Sequence, residues 1–187
     1  MRGRCYGALD IPLSEEGRSQ ALQTAEYLSK EPLSAIYSSP LTRAAESAAI
    51  VAGPHCCAVQ TTPDLCELNF GALEGLTFDE VSAAHPELYQ EWMRSPTEVL
   101  FPGGESFSIM RTRVLRAFHQ IRSQHDGHSA AIVSHAGVNR ILLGWALQVP
   151  DSHVFRIGQD YAAVNLLTFS NDFPAVSLLN YTHYKSR

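Results

Sequence analysis

No stretch of this sequence is apolar for long enough to span a membrane, and Met1 to Gln20 hold no apolar run of signal-peptide length. Cysteine is scarce: Cys5, Cys56, Cys57 and Cys66 are the whole set. None makes a C-x-x-C pair and no histidine spacing completes a zinc set, so the expectation is buried free thiols in a reducing compartment. Positive charge is also limited, with 14 Lys and Arg against 19 Asp and Glu and a formal net charge of −5. That balance argues against a general nucleic-acid or anionic-membrane binder. It leaves room for a small anionic substrate, because one local arginine cluster can hold a phosphate on an acidic protein. Internal repeats, low-complexity tracts and linkers are absent. A cytoplasmic protein forming one domain over residues 1–187 is expected, long enough for a sizeable core.

What is present alternates. Asp10-Ile11-Pro12-Leu13 reads as an extended lead-in to a helix capped by Ser14, with Glu15 and Glu16 in its first turn and Ala21, Leu22, Ala25 and Leu28 on one face. Ala35 to Ser38 predicts a buried strand, followed by a helix with Ala44, Ala45, Ala48 and Ala49 inward and Gly53 as its stop. Cys57 to Gln60 fits a short strand. An inserted cap at about 68–104 is expected, with helical turns at Phe78–Ala84 and Pro86–Met93. A long helix follows from about Glu105 to Gln124, with Phe107, Met110, Val114, Phe118 and Ile121 near helical period. Ala130 to Val133 is the clearest buried strand, Val138 to Leu147 the next helix, and Val164–Phe169 and Val176–Asn180 the final strands. This order predicts an α/β three-layer sandwich around a mainly parallel central sheet.

Two strand-to-helix junctions stand out, Ser38-Ser39-Pro40-Leu41-Thr42-Arg43 and Ser134-His135-Ala136-Gly137-Val138-Asn139. In a parallel sheet both lie at the carboxyl ends of the strands, where ligands bind, and each presents free helix N–H groups to an anion. Arg43 and His135 could converge there on one phosphate. The plain alternative is two structural turns, one with a surface arginine and one with a capping histidine. Glu67 and Glu74 lie in an apolar, glycine-bearing loop that could make a carboxyl group a general acid, or could leave both as ordinary solvent-facing carboxylates. Pro102-Gly103-Gly104-Glu105-Ser106 reads as a turn and helix start, with Glu105 and Ser106 taken as capping residues only.

These segments together resemble the histidine phosphatase (phosphoglycerate-mutase-like) superfamily. Arg4-Cys5-Tyr6-Gly7 followed by Asp10 to Ser14 and Gly17 is similar to the stretch just after that family's catalytic motif. Ser38 to Leu41 with Arg43-Ala44 resembles its second phosphate-arginine motif, and Glu67 with Phe70-Gly71 and Glu74-Gly75 its proton-donor loop. Pro102 to Ser106 and Val133 to Val138 resemble its long-helix start and second-histidine motif. The resemblance covers nearly the whole chain. It departs at the beginning: the Arg-His-Gly motif with the nucleophilic histidine, and the apolar first strand leading to it, are absent from residues 1–187. A misplaced start codon or a fragment is the favoured expectation, with a genuine short form as the alternative. His55, His85, His119, His125, His128, His153 and His183 fall outside every motif and are expected to be surface or structural.

The resemblance implies a phosphomonoester hydrolase working through a phosphohistidine. In it Arg43 binds phosphate, His135 stabilises the transferring phosphoryl group, and Glu67 is the proton donor. Tyr6, Gly7, Gly137 and Val138 line the substrate mouth. No metal or organic cofactor is implied, and the expected partner is a small phosphorylated metabolite, with no nucleic acid and no membrane; a homodimer stays open. A mutase needs a second basic patch on the cap, and Arg94 is the only Lys or Arg between Leu76 and Phe101. Arg4 to Gly7, the short cap and Gln159-Asp160-Tyr161 look most like alpha-ribazole phosphatases. The alternatives are a broad phosphatase of sugar or nucleotide monophosphates and a phosphate-ester binding module without turnover.

Overall fold

A computed structural model describes residues 3–182; His183 lies outside them. Helix α1 (Glu15–Leu28) starts at Ser14, whose hydroxyl accepts the Gly17 N–H, with Glu15 and Glu16 in the first turn. Strand β1 (Leu33–Ser38) leads into α2 (Thr42–Ala52), which is followed by the short β2 (Val59–Thr61). Two short helices, α3 (Phe78–Ala84) and α4 (Pro86–Arg94), precede the long α5 (Phe107–Gln124). Strand β3 (Ser129–Val133), helix α6 (Ala136–Leu147) and the strands β4 (Val164–Ser170) and β5 (Phe173–Tyr181) complete the chain.

The strands β2-β1-β3 form an all-parallel sheet in that order, with Ser38 opposite Val133 and Ser38 opposite Thr61 at its carboxyl edge. Successive side chains of a strand point to opposite faces, and here the alternation sorts two cores. Ala35 and Tyr37 of β1, with Ala130 and Ile132 of β3, face α5 and α6. Ile36, Ala131 and Val133 face α1 and α2. The result is a helix–sheet–helix α/β sandwich. The five apolar positions expected on α5 are all buried. The expected inward faces of α1 and α2 are only partly realised: Ala21, Ala25, Ala44 and Ala48 are buried, but Leu22 is 60% exposed and Ala49 is exposed. Thr24 takes an inward place on α1, its hydroxyl donating to the carbonyls of Gln20 and Ala162.

The strands β4 and β5 pair antiparallel with each other as a separate two-stranded sheet. Among the described residues no strand lies on the outer edge of β3. For that reason β3 is half-buried rather than fully buried as its composition predicted. Residues of the expected cap join the main core: Leu73, Val81, Trp92, Val99 and Phe101 pack into the same cluster as α5 and α6. Trp92 sits against Phe70, Phe78 and Phe101 with ring centroids 5.2–5.4 Å apart. Of these, the buried Trp92 and Phe101 each contribute roughly 2–3 kcal/mol, enough to hold a short insertion down. The cysteines are free, but only Cys5 is buried; Cys56 is exposed and Cys57 and Cys66 are intermediate. The expectation of four buried thiols therefore fails at three: Cys56 and Cys57 follow α2, and Cys66 lies in the loop after β2. No helix among the described residues is long and apolar enough to cross a membrane.

Candidate active site

The two strand-to-helix junctions come together because β1 and β3 are parallel neighbours. Ser39 N–H donates to the Val133 carbonyl (3.2 Å), extending the ladder one residue past the strand. Beyond it Ser39 and His135 face each other, with His135 Nε2 2.9 Å from Ser39 Oγ. Both are buried. The His135 pKa is lowered from 6.5 to about 3, first by burial and then by the charges of Arg43 and Arg113. The imidazole is therefore held neutral and feels the charge of both arginines.

Arg43, in the first turn of α2, donates to the Leu9 carbonyl (2.8 Å) and to the Gly7 carbonyl (2.7 Å). These bonds aim a planar, permanently charged fork at the junction while leaving further N–H donors for an anion. The segment carrying those carbonyls is itself fixed. Asp10 accepts the Thr42 N–H (2.6 Å) and hydroxyl (2.9 Å), acting as a remote cap for α2, whose own N-cap Leu41 has no side-chain acceptor. The two Thr42 bonds hold the Asp10 carboxyl below its ordinary pKa.

Glu67 reaches the same place from the loop before α3. Its Oε2 accepts the Gly137 N–H at 2.9 Å in the first turn of α6. Gly137 is there for clearance: a Cβ on it would stand 2.2 Å from Glu67 Oε1. Gly7 is equally constrained, since a Cβ there would fall 1.7 Å from the Leu68 carbonyl oxygen. Glu74, the other acid of this loop, accepts from three backbone groups. Its carboxylate takes N–H bonds from Ala8 (2.8 Å), Phe70 (2.9 Å) and Leu9 (3.2 Å). It staples two loops together.

The structure thus gathers Arg43, Glu67, His135 and Gly137 into one cleft. Tyr6 stands at its rim, its hydroxyl 2.8 Å from that of Tyr161 and its ring 5.9 Å from the Arg43 guanidinium. Burial, and then the hydrogen bond to Tyr161, push the Tyr6 phenol up to about 12. Val138 requires correction. Its side chain is fully buried in the core, so it packs α6 and does not line the mouth. Gly7 is buried too, and what it offers is its carbonyl to Arg43. Ser39 was not singled out from sequence, although a serine before proline at a strand end marks it. The sequence marks Glu105 as a capping residue only. Ser106 does cap α5, accepting the Ile109 N–H (3.3 Å), but Glu105 pairs with Arg113, only 15% and 13% exposed for arginine and glutamate. No signal of period or charge separated this pair from other helix-surface ions.

The other described histidines stand elsewhere. His125 caps α5 and meets the Tyr37 hydroxyl (3.0 Å), His85 joins α3 to α4, and His119 packs edge-on to Trp145. His128 meets the Asp126 carbonyl (2.9 Å).

The sequence model of the histidine phosphatase superfamily, branch 1, matches residues 1–182. The bifunctional protein Rv2228c of Mycobacterium tuberculosis is 36% identical over 174 residues, covering 92% of this chain and 48% of that protein. This chain therefore spans about half the length of that relative. Phosphoserine phosphatase 1 of Hydrogenobacter thermophilus is 32% identical over 180 residues, covering 96% of this chain and 85% of that protein. The solved structure of Bacillus stearothermophilus YhfR superposes with a TM-score of 0.88 at 28% identity, over 94% of this chain and 88% of that one. With Arg43, Glu67 and His135 converging on one cleft at the carboxyl edge of a parallel sheet, this chain belongs to the histidine phosphatase superfamily.

Proposed function

We propose that this cleft hydrolyses small phosphomonoesters through a phosphohistidine. The observation that carries the reading is the meeting of Ser39, His135 and Glu67 at the N-terminus of α6, with the charge of Arg43 reaching His135. The phosphoryl group sits against Arg43 and the α6 N–H groups, where one of its oxygens takes the place of Ser39 Oγ beside neutral His135 and accepts the Nε2–H. A histidine nitrogen attacks phosphorus, the P–O bond to the alcohol breaks, and Glu67 gives its proton to the departing oxygen. In the second step Glu67 takes a proton from water, which attacks the phosphohistidine and releases inorganic phosphate. Residues 1–187 contain no Arg-His-Gly sequence, and among the described histidines only His135 stands in the cleft. The protein expressed from its complete gene should turn over p-nitrophenyl phosphate and form an acid-labile phosphohistidine. Turnover with no phosphohistidine formed would overturn this assignment.

For the substrate we propose alpha-ribazole 5'-phosphate, the step belonging to assembly of the cobalamin nucleotide loop. Its support is the aromatic rim of Tyr6 and Tyr161, hydrogen-bonded to each other at 2.8 Å and suited to stacking on a heteroaromatic base. A second reading, phosphoserine, is favoured by the 32% identity to phosphoserine phosphatase 1. Comparing kcat/KM for the two and for a sugar monophosphate separates them. Alpha-ribazole 5'-phosphate should lead; a preference for phosphoserine would transfer the assignment.

A further inference from the structure

Arg113 projects from the second turn of α5 and is largely buried. Every N–H of its guanidinium is used. Nε and one Nη2 donor hold the Glu105 carboxylate at 3.0 and 2.5 Å. The two Nη1 donors go to the carbonyls of Asp64 (2.9 Å) and Cys66 (2.7 Å), and the second Nη2 donor goes to the carbonyl of Glu67 itself (3.1 Å). Glu105 then closes the clamp from the other side. Its Oε1 accepts the Asn69 N–H (3.0 Å), and its own N–H donates to the Asn69 carbonyl (3.0 Å).

Stability alone does not call for this arrangement. Removing an ion pair from water costs several kcal/mol, and an apolar pair of similar volume is often as stable or more so. What a guanidinium adds is direction: fixed, planar donors that three carbonyls flanking one acid can satisfy together. We infer that Arg113, oriented by Glu105, is a positioning residue that fixes the backbone of residues 64–69 so that the Glu67 carboxylate meets the Gly137 N–H and the leaving oxygen. This inference rests on the proton-donor reading of Glu67. Arg113 touches no reacting atom, so it acts through Glu67.

The test is made in the protein expressed from its complete gene, by phosphohistidine formation in single turnover, with an alkyl phosphate and with p-nitrophenyl phosphate. Arg113→Lys keeps the charge and removes the fork. It should slow the alkyl phosphate by about tenfold or more, as a misplaced catalytic group does. The nitrophenyl ester, whose leaving group needs little proton donation, should change by less than about threefold. Combined with Glu67→Gln, Arg113→Lys should add little further loss, because both act on one proton transfer. Equal losses on the two esters, or full additivity with Glu67→Gln, would make Arg113 merely structural and overturn the inference. If Arg113→Lys does not fold, Glu105→Gln weakens the same clamp and must show the same split. Should Glu67→Gln itself lack leaving-group dependence, the proton-donor reading fails. If Glu67→Gln shows the split and Arg113→Lys does not, only the positioning inference fails.

Discussion

His135 is held neutral by burial first and by Arg43 and Arg113 after it, with its pKa lowered to about 3 from an ordinary 6.5. Between these values the unfolded chain binds a proton that the folded chain refuses. The contribution of His135 to stability is therefore full above about 6.5 and falls as pH drops toward about 3. His135→Gln removes the titrating group and keeps a hydrogen-bonding side chain. The loss of urea midpoint on going from about pH 7 to about pH 5 should be smaller in this variant than in the parent. An unchanged loss would mean that His135 titrates normally in the folded protein. Bound phosphate brings negative charge against the two arginines, so saturating phosphate should raise the pKa of this imidazole, read from its Cε1–H resonance. A hydroxyl can donate to or accept from a neutral imidazole nitrogen, so Ser39 Oγ, 2.9 Å from Nε2, satisfies the uncharged ring and can give way to a phosphate oxygen.

At the scale of elements, the site depends on two close approaches that glycine allows. The first turn of α6 carries Gly137 against Glu67, and the added atom of Gly137→Ala would meet the flexible end of that side chain at 2.2 Å. The helix loses nothing, since alanine is the better helix former by about 1 kcal/mol. The acid must move instead. Gly137→Ala should therefore keep its melting temperature within a few degrees, by the usual size of such surface-compatible changes. Its turnover of alkyl phosphates should fall by about tenfold or more, the order expected for a displaced catalytic group. Gly7→Ala presents the opposite case. Its Cβ would meet a backbone oxygen of Leu68 at 1.7 Å, and neither loop can yield cheaply. Loss of about 1–3 kcal/mol of stability is expected, as for overpacked cores. Thermal unfolding of the two variants side by side checks both statements; a stable Gly7→Ala or an unfolded Gly137→Ala would contradict the geometry.

At the scale of the whole molecule, the sheet is divided. The parallel β2-β1-β3 unit and the β4–β5 hairpin are separate, and β3 presents an unpaired edge among the described residues. Apolar surface is open on the hairpin, where Leu166 and Leu179 are each 48% exposed and Phe173 is 73% exposed. An unpaired edge beside apolar side chains is a template for association. The 187-residue polypeptide expressed alone should aggregate readily, bind a hydrophobic dye and unfold over a broad range. A sharp cooperative transition with native-like near-ultraviolet circular dichroism would show that the sheet is closed by other means.

The order and type of the α-helices and strands were legible in the sequence, because period and capping are local: Ser14, Gly53, Ser106 and the apolar face of α5 each act within a few residues of themselves; the short 3-10 turns such as Asp151–Arg156 carry no such period and were not. Arg43, Glu67 and His135 were legible as candidates for the same reason, through short motifs at strand ends and in a glycine-bearing loop. Tertiary structure decided what those motifs touch. Val138 left the substrate mouth because the helical turn at Gly137 points it into the core, and Glu74 became a staple because three N–H groups from two loops converge on it. Ser39 gained its histidine across a sheet ladder, and Arg113 gained its carbonyls from a loop more than forty residues away in sequence. Such contacts join residues distant along the chain, so local pattern carries no record of them.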